Sequence, residues 1–144
     1  MTAGYSGTPL VQKLGIKEGH RVAALDAPKG FDKTLGKLPA AATMKSKLDG
    51  NDPFDVILLF VTEKKELTSQ FKPTAKRLDP AGGFWIAWPK RASGMETDVT
   101  EDTVRNVALA AGLVDNKVCA IDEIWSGLRC VVRLVDRPKK SKAG

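Results

Sequence analysis

The chain has 144 residues, 28% of them charged, with two cysteines, one histidine and a formal net charge of +6. That is one domain's length, enough for a core that withdraws roughly two-thirds of the unfolded surface from water. Two cysteines exclude a disulfide scaffold, a lone histidine without ligand spacing offers no metal site, and no apolar run is long enough to span a bilayer.

The opening Met1-Thr2-Ala3-Gly4-Tyr5 lacks the charged and apolar regions of a signal peptide, so the expected address is the cytoplasm. Thr8 reads as an N-cap, Pro9 as a first helical position and Gly15 as a left-handed exit, which predicts a short helix over residues 9–14. A strand over residues 21–25 ends in Asp26-Ala27-Pro28-Lys29-Gly30. A helical segment around residues 31–37 follows, stopped by Pro39. Residues 43–48 alternate as a half-exposed edge strand guarded by Lys45 and Lys47. "DVILLFV", residues 55–61, is the continuous apolar run of a strand buried on both faces. Thr62 is placed to cap a helix over residues 63–78 with Leu67, Phe71, Ala75 and Leu78 in one stripe. Pro73 inside it predicts a kink or break near residues 69–72. After "DPAGG" comes a buried strand over residues 84–88, with Trp85 and Trp88 on opposite faces. Thr100 caps a helix whose first turn holds Glu101 and Asp102 and whose stripe is Val104, Val107, Ala108 and Ala111, ended by Gly112. The last strands, residues 117–121 and 128–135, flank "DEIWSG", a loop short enough to require antiparallel pairing, with Trp125 packing over the sheet end. If Ile121 faces Leu128, Cys119 faces Cys130 within disulfide reach, though a reducing compartment keeps both as thiols.

Strands alternating with helices before a terminal hairpin predict an α/β fold: an open, mostly parallel twisted sheet with an antiparallel finish. It occupies residues 1–135. Four basic residues and one acid fall after Val135, so half the net charge belongs to residues 136–144. That basic tail has no large apolar residue and is expected to be disordered, with phosphate-backbone binding as one alternative function.

Ligands of open α/β sheets lie outside the carboxyl ends of the parallel strands. The segments delivered there carry Lys29, Gly30, Trp88, Lys90, Arg91, Ser93 and Gly94. Two lysines, an arginine fork, backbone amides at Gly30 and Gly94 and the face of Trp88 suit a small anion or phosphorylated ligand. No catalytic set accompanies them. His20 precedes the first strand, at the wrong end of the sheet, and neither Asp26 nor Asp98 belongs to a spaced carboxylate pair. The expected function is non-catalytic binding of a small anion or a protein partner.

Two resemblances add to this reading. "DVILLFV", a helix, "RLDPAGGFWIAWP", a helix ending "LAAGLVD" and a two-strand finish resemble the C-terminal half of class I S-adenosylmethionine-dependent methyltransferases, whose Leu-x-Pro-Gly-Gly turn has one extra residue here, over residues 78–83. "GYSGTPLVQKLGI", "WIAWPKRASG", "DVTEDTVRNVALAAGLVDNKVCAID" and "WSGLR" resemble, in order, a family of small bacterial proteins defined as domain of unknown function 3052. The first resemblance implies a Rossmann-like fold and, as an alternative function, an enzyme using S-adenosylmethionine. Its cofactor-binding members carry a glycine-rich turn after the first strand and an acid ending the second. Here the turn has one glycine and Pro28, which lacks a backbone donor. Asp49 follows the predicted second strand, where it serves equally as a turn former beside Gly50-Asn51-Asp52-Pro53. No cofactor is therefore the leading expectation.

Overall fold

The computed structural model describes residues 8–137. Six strands, β1 (Arg21–Leu25), β2 (Thr43–Lys45), β3 (Phe54–Phe60), β4 (Leu78–Pro89), β5 (Leu113–Ala120) and β6 (Trp125–Val132), join in one sheet of order β2-β1-β3-β4-β6-β5. The first four are parallel, and β6 runs antiparallel to both β4 and β5. The α/β architecture with an antiparallel end is thus the one expected.

Alternation along the strands sorts the core into two layers. Ile57 and Leu59 of β3 and Phe84, Ile86 and Trp88 of β4 face α3 (Lys64–Ala75) and α4 (Glu101–Ala110), meeting Leu67, Phe71, Val104 and Ala108. Val56, Leu58 and Phe60, with Trp85 and Ala87, face α1 (Leu10–Lys13) and α2 (Phe31–Leu35), meeting Leu10, Leu14, Phe31 and Leu35. The two tryptophans of β4 therefore lie on opposite faces. Arg105 of α4 ties its helix to β5, reaching Glu101 at 2.6 Å, Asp102 at 2.9 Å and Asp115 of β5 at 3.1 Å.

Local chemistry shifts several boundaries. Pro9, not Thr8, is the cap residue of α1, and Gly15 leaves it at φ 79°. α2 stops at Gly36, ahead of Pro39. Glu63, not Thr62, caps α3, in a reciprocal box with Glu66. That helix runs unbroken past Pro73, which lies in its last turn and removes one hydrogen bond where the helix is already ending. It stops at Ala75 because Leu78 opens β4. "DPAGG" is a bulge within that strand: Phe54 pairs with Leu78, but Val56 pairs with Gly83, and Asp79 Oδ1 accepts from Ala81 N–H at 2.9 Å. β2 is only three residues long, at the edge next to β1. Arg77 draws the following loop away by donating to the carbonyls of Leu48, Asp49 and Asp52.

The hairpin register also differs. Cys119 faces Gly127 and Cys130 faces Asp115, so the two thiols lie on opposite faces of the sheet and cannot bridge. Trp125 causes the shift. It is a buried strand residue packed edge-on to Phe60 at 5.1 Å, so β6 starts three positions earlier than residue 128, and a bulge between Asp115 and Lys117 adds to it.

Burial, reinforced by Asp115, pushes the Cys130 thiol up to about 12. The folded state keeps a proton that the unfolded chain releases near pH 9. Stability from this group is complete below pH 9 and lost between pH 9 and 12. By pH 11 the wild-type chain is expected to lose about 3 kcal/mol through it, a loss absent from Cys130→Ala. Urea unfolding midpoints of the two proteins at pH 8 and pH 11 test this; equal declines contradict it.

Leu134–Asp136 form a short 3-10 turn in which Arg133 meets Asp136 at 3.0 Å, and Arg137 Nε donates to Val132 O at 3.0 Å. The rest of the basic tail, residues 138–144, lies outside the described residues, as do residues 1–7. Among the described residues no helix is long and apolar enough to cross a membrane.

Candidate functional site

β1 has β2 on one side and β3 on the other, so the chain changes direction across the sheet between β1 and β3, and ligand crevices of such sheets open at the carboxyl ends there. Three clefts along this rim, among the described residues, bear on the predicted site.

The first, about 320 Å³, lies between the ends of β1 and β2 and is lined by Pro28, Gly30, Phe31, Lys45 and Ser46, among others. Its turn is not glycine-rich: Asp26 takes the left-handed φ of 57° that glycine usually supplies, which aspartate tolerates at some cost. Phe31, the first residue of α2, packs edge-on against Phe60 at 5.0 Å and fills the space beneath. Lys45 and Ser46, not an acid, stand at the end of β2. Asp49 gives its carbonyl to Arg77, which immediately precedes β4, so it is held at the opposite end of the sheet and plays the turn role.

The second cleft, about 680 Å³, follows β3 and is lined by Thr62, Glu63, Lys65, Glu96, Thr97 and Asp98. Three carboxylates against one lysine make it hostile to anions. The N-terminus of α3, which would otherwise attract one, is filled from within: Asp98 Oδ1 accepts from Lys64 N–H at 2.6 Å, and Glu66 Oε1 from Thr62 and Glu63 N–H. Thr97 Oγ1 donates to Thr62 O at 2.6 Å, stitching the loop after β4 to the end of β3.

The third cleft, about 470 Å³, follows β4. Trp88, Pro89, Met95 and Val99 give it apolar walls, Thr97, Thr100 and Ser126 polar ones, and Lys90 and Arg91 two cations. Its geometry is fixed by backbone. Lys90 N–H donates to Ile124 O at 2.7 Å, joining the end of β4 to the hairpin loop, and the register sets Ser126 opposite Trp88. Neither cation has a hydrogen-bonded or ion-paired side chain among the described residues. Glu101 also reaches the cleft, but Arg105 holds its carboxylate.

The residues expected to form one site therefore divide. Trp88, Lys90 and Arg91 share the third cleft. Gly30 lines the first, Lys29 is exposed on the same turn, and the acidic second cleft lies between. Ser93 and Gly94 serve the turn itself: Ser93 Oγ donates to Lys90 O at 2.7 Å and accepts from Met95 N–H, while Gly94 N–H, at φ 81°, is used by Arg91 O. Trp88 is 6% exposed, too little for a stacking face, and forms a wall instead. Met95, Thr97, Val99 and Ser126 escaped sequence reasoning; only the register could have placed Ser126. His20 accepts Lys17 N–H in a turn ahead of β1, away from every cleft. Among the described residues no group of histidine, cysteine or acidic side chains could hold a metal ion.

The family model described as Protein of unknown function (DUF3052) matches residues 11–134, most of the chain. The chain belongs to this family. No curated protein matches it. Among solved structures, this DUF3052 chain is similar to a SAM dependent methyltransferase from Aquifex aeolicus, at 17% identity and a TM-score of 0.59 over 86% of this chain and 88% of that one. It is also similar to magnesium protoporphyrin IX methyltransferase from Synechocystis PCC 6803 with bound SAM, at 9% identity and 0.54, covering 86% and 74%. The Methanococcus jannaschii fibrillarin pre-rRNA processing protein gives 16% and 0.53, covering 87% and 69%. At such identities the likeness establishes a methyltransferase-like fold and carries no activity with it.

Proposed function

We propose that this DUF3052 domain is a non-catalytic, cytoplasmic binder of a small anion with an apolar portion, held in the cleft after β4. The observation that carries the proposal is the pairing of unpartnered Lys90 and Arg91 with apolar Pro89, Met95 and Val99 in one walled space of about 470 Å³. An arginine fork grips two oxygens and a lysine adds a point charge, while the apolar walls take the rest of the ligand. Protein partners remain the outcome favoured by silence from every small anion.

The test is thermal unfolding of the full chain against benzoate, citrate, salicylate and S-adenosylmethionine. A ligand at a hundred times its dissociation constant stabilises the fold by about 2.7 kcal/mol, several degrees in midpoint for a chain of this size. Lys90→Glu with Arg91→Glu is expected to abolish the shift given by the first three while leaving the unliganded midpoint unchanged, because both side chains project from a loop. An undiminished shift in that variant defeats the assignment.

S-adenosylmethionine binding is a second reading, supported by the fold shared with methyltransferases over 86% of the chain. Against it stand Pro28 and the non-glycine Asp26 in the first turn, and Lys45 where an acid would meet ribose hydroxyls. A shift with S-adenosylmethionine that survives the charge reversal would favour it.

A further inference from the structure

Seven arginines lie among the described residues, and the bonds they make separate them. Arg21 donates to Pro53 O, Arg77 to three carbonyls, Arg105 to three carboxylates, Arg133 to Asp136 and Arg137 to Val132 O. Only Arg91 and Arg129 have no hydrogen bond or ion pair among those residues. Arg91 is exposed and water serves it. Arg129 is half-buried in the sheet, with no protein group answering its charge, and its guanidinium nitrogens stay open to solvent and so to a ligand.

Its position is fixed by register. Arg129 of β6 lies directly between Trp85 of β4 and Lys117 of β5, so the two cations share a face of the ladder. The guanidinium lies over Gly83, where a Cβ would come within 2.8 Å of Arg129 Cζ. This is toward the start of the regular part of β4, the opposite end from the cleft after Pro89. Arg137 folds back on Val132, three residues beyond Arg129 in the same strand. Burial, and then the charge of Arg137, hold the Arg129 pKa below its ordinary value. No carboxylate counters either effect.

We propose that Arg129, Arg137 and Lys117 form a second ligand site, for a phosphoryl group, separate from the cleft after β4. Two guanidinium forks offer paired N–H donors to phosphate oxygens, and a dianion offsets the mutual repulsion of the cations. Lys117 Nζ already holds Lys13 O at 3.3 Å and contributes charge more than donors.

The probe is pyrophosphate, titrated into the full chain in chloride buffer. Calorimetry is expected to show binding that weakens at least tenfold in Arg129→Met and by less in Arg137→Gln. Lys90→Glu with Arg91→Glu is expected to keep the pyrophosphate binding that Arg129→Met loses, which separates this site from the cleft after β4, whose apolar walls pyrophosphate does not use. Because Arg129→Met removes an unpaired charge, its midpoint without pyrophosphate should be no lower than wild type. On the wild-type chain, the Arg129 Nε–Hε resonance should move with the same affinity, a readout that needs no variant to fold. No movement of that resonance at millimolar pyrophosphate, or unchanged affinity in both arginine variants, overturns the proposal. A parallel titration with a single-stranded 12-mer identifies the source of the phosphoryl group: affinity no better than for pyrophosphate assigns a small phosphorylated metabolite. Tighter, steeply salt-dependent binding assigns a nucleic-acid backbone.

Discussion

Trp85→Ala is expected to lower the thermal midpoint by about 10 °C or more, or to prevent folding, because truncating a fully buried aromatic removes about 3–5 kcal/mol from a domain whose total stability is of order 5–15 kcal/mol. Trp85 has no exposed surface and is the largest fully buried side chain among the described residues. It also joins layers: its indole Nε1–H donates to Leu14 O at 3.0 Å, fixing the end of α1 against the middle of the sheet. α1 has four residues and cannot persist by its own propensity. Its place depends on Leu10, Leu14 and this bond. Trp85→Phe keeps most of the packing and loses the donor, leaving Leu14 O unsatisfied, for about 1–2 kcal/mol. Unfolding followed by far-ultraviolet circular dichroism separates the two variants; similar midpoints would mean that the hydrogen bond, not the ring, holds the layers together.

What the sequence made legible follows from how local each signal is. Apolar runs flanked by turn residues located β1 and β3, and the cap Thr100 with Gly112 bounded α4, because those signals act within one element. The alternation that put Trp85 and Trp88 on opposite faces is equally local. Failures came where a distant group decides. Arg77 captures three carbonyls of the loop before β3 and so ends β2 at Lys45, a bond across 25 to 29 residues. Trp125 enters a strand because Phe60 offers it a buried edge, and the register then moves Cys119 away from Cys130. The candidate site divided for the same kind of reason. Lys29 and Lys90 both follow parallel strands, but Asp98 caps α3 from a loop 34 residues away and places an acidic cleft between them. Arg129 carried no signal at all in the sequence, since only the folded sheet shows that nothing beside it answers its charge.

Gly82→Ala is expected to destabilise the fold by about 3 kcal/mol or more, while Gly83→Ala costs about 1 kcal/mol, although the two glycines are adjacent and both buried. The difference lies in what each Cβ would meet. At Gly82 it overlaps the backbone carbonyl of Asp55 and comes within 3.1 Å of Asp79 O, so β3 and the bulge of β4 must part. That strand pair passes through the core, and Asp55 also anchors β1 by accepting Arg21 N–H at 2.8 Å. At Gly83 the obstacle is the Arg129 guanidinium, the free end of a flexible side chain that can swing aside. The Gly-Gly pair is thus two devices: one lets two backbones approach, the other gives a cation a seat. Chemical denaturation of both variants measures the first difference. Pyrophosphate titration of Gly83→Ala measures the second, because displacing the guanidinium should weaken binding without loss of fold. Comparable destabilisation of both variants would show that Arg129 is as rigid as the backbone beneath it. The seat would then be part of the packing, and Gly83→Ala would no longer isolate the effect of moving the cation.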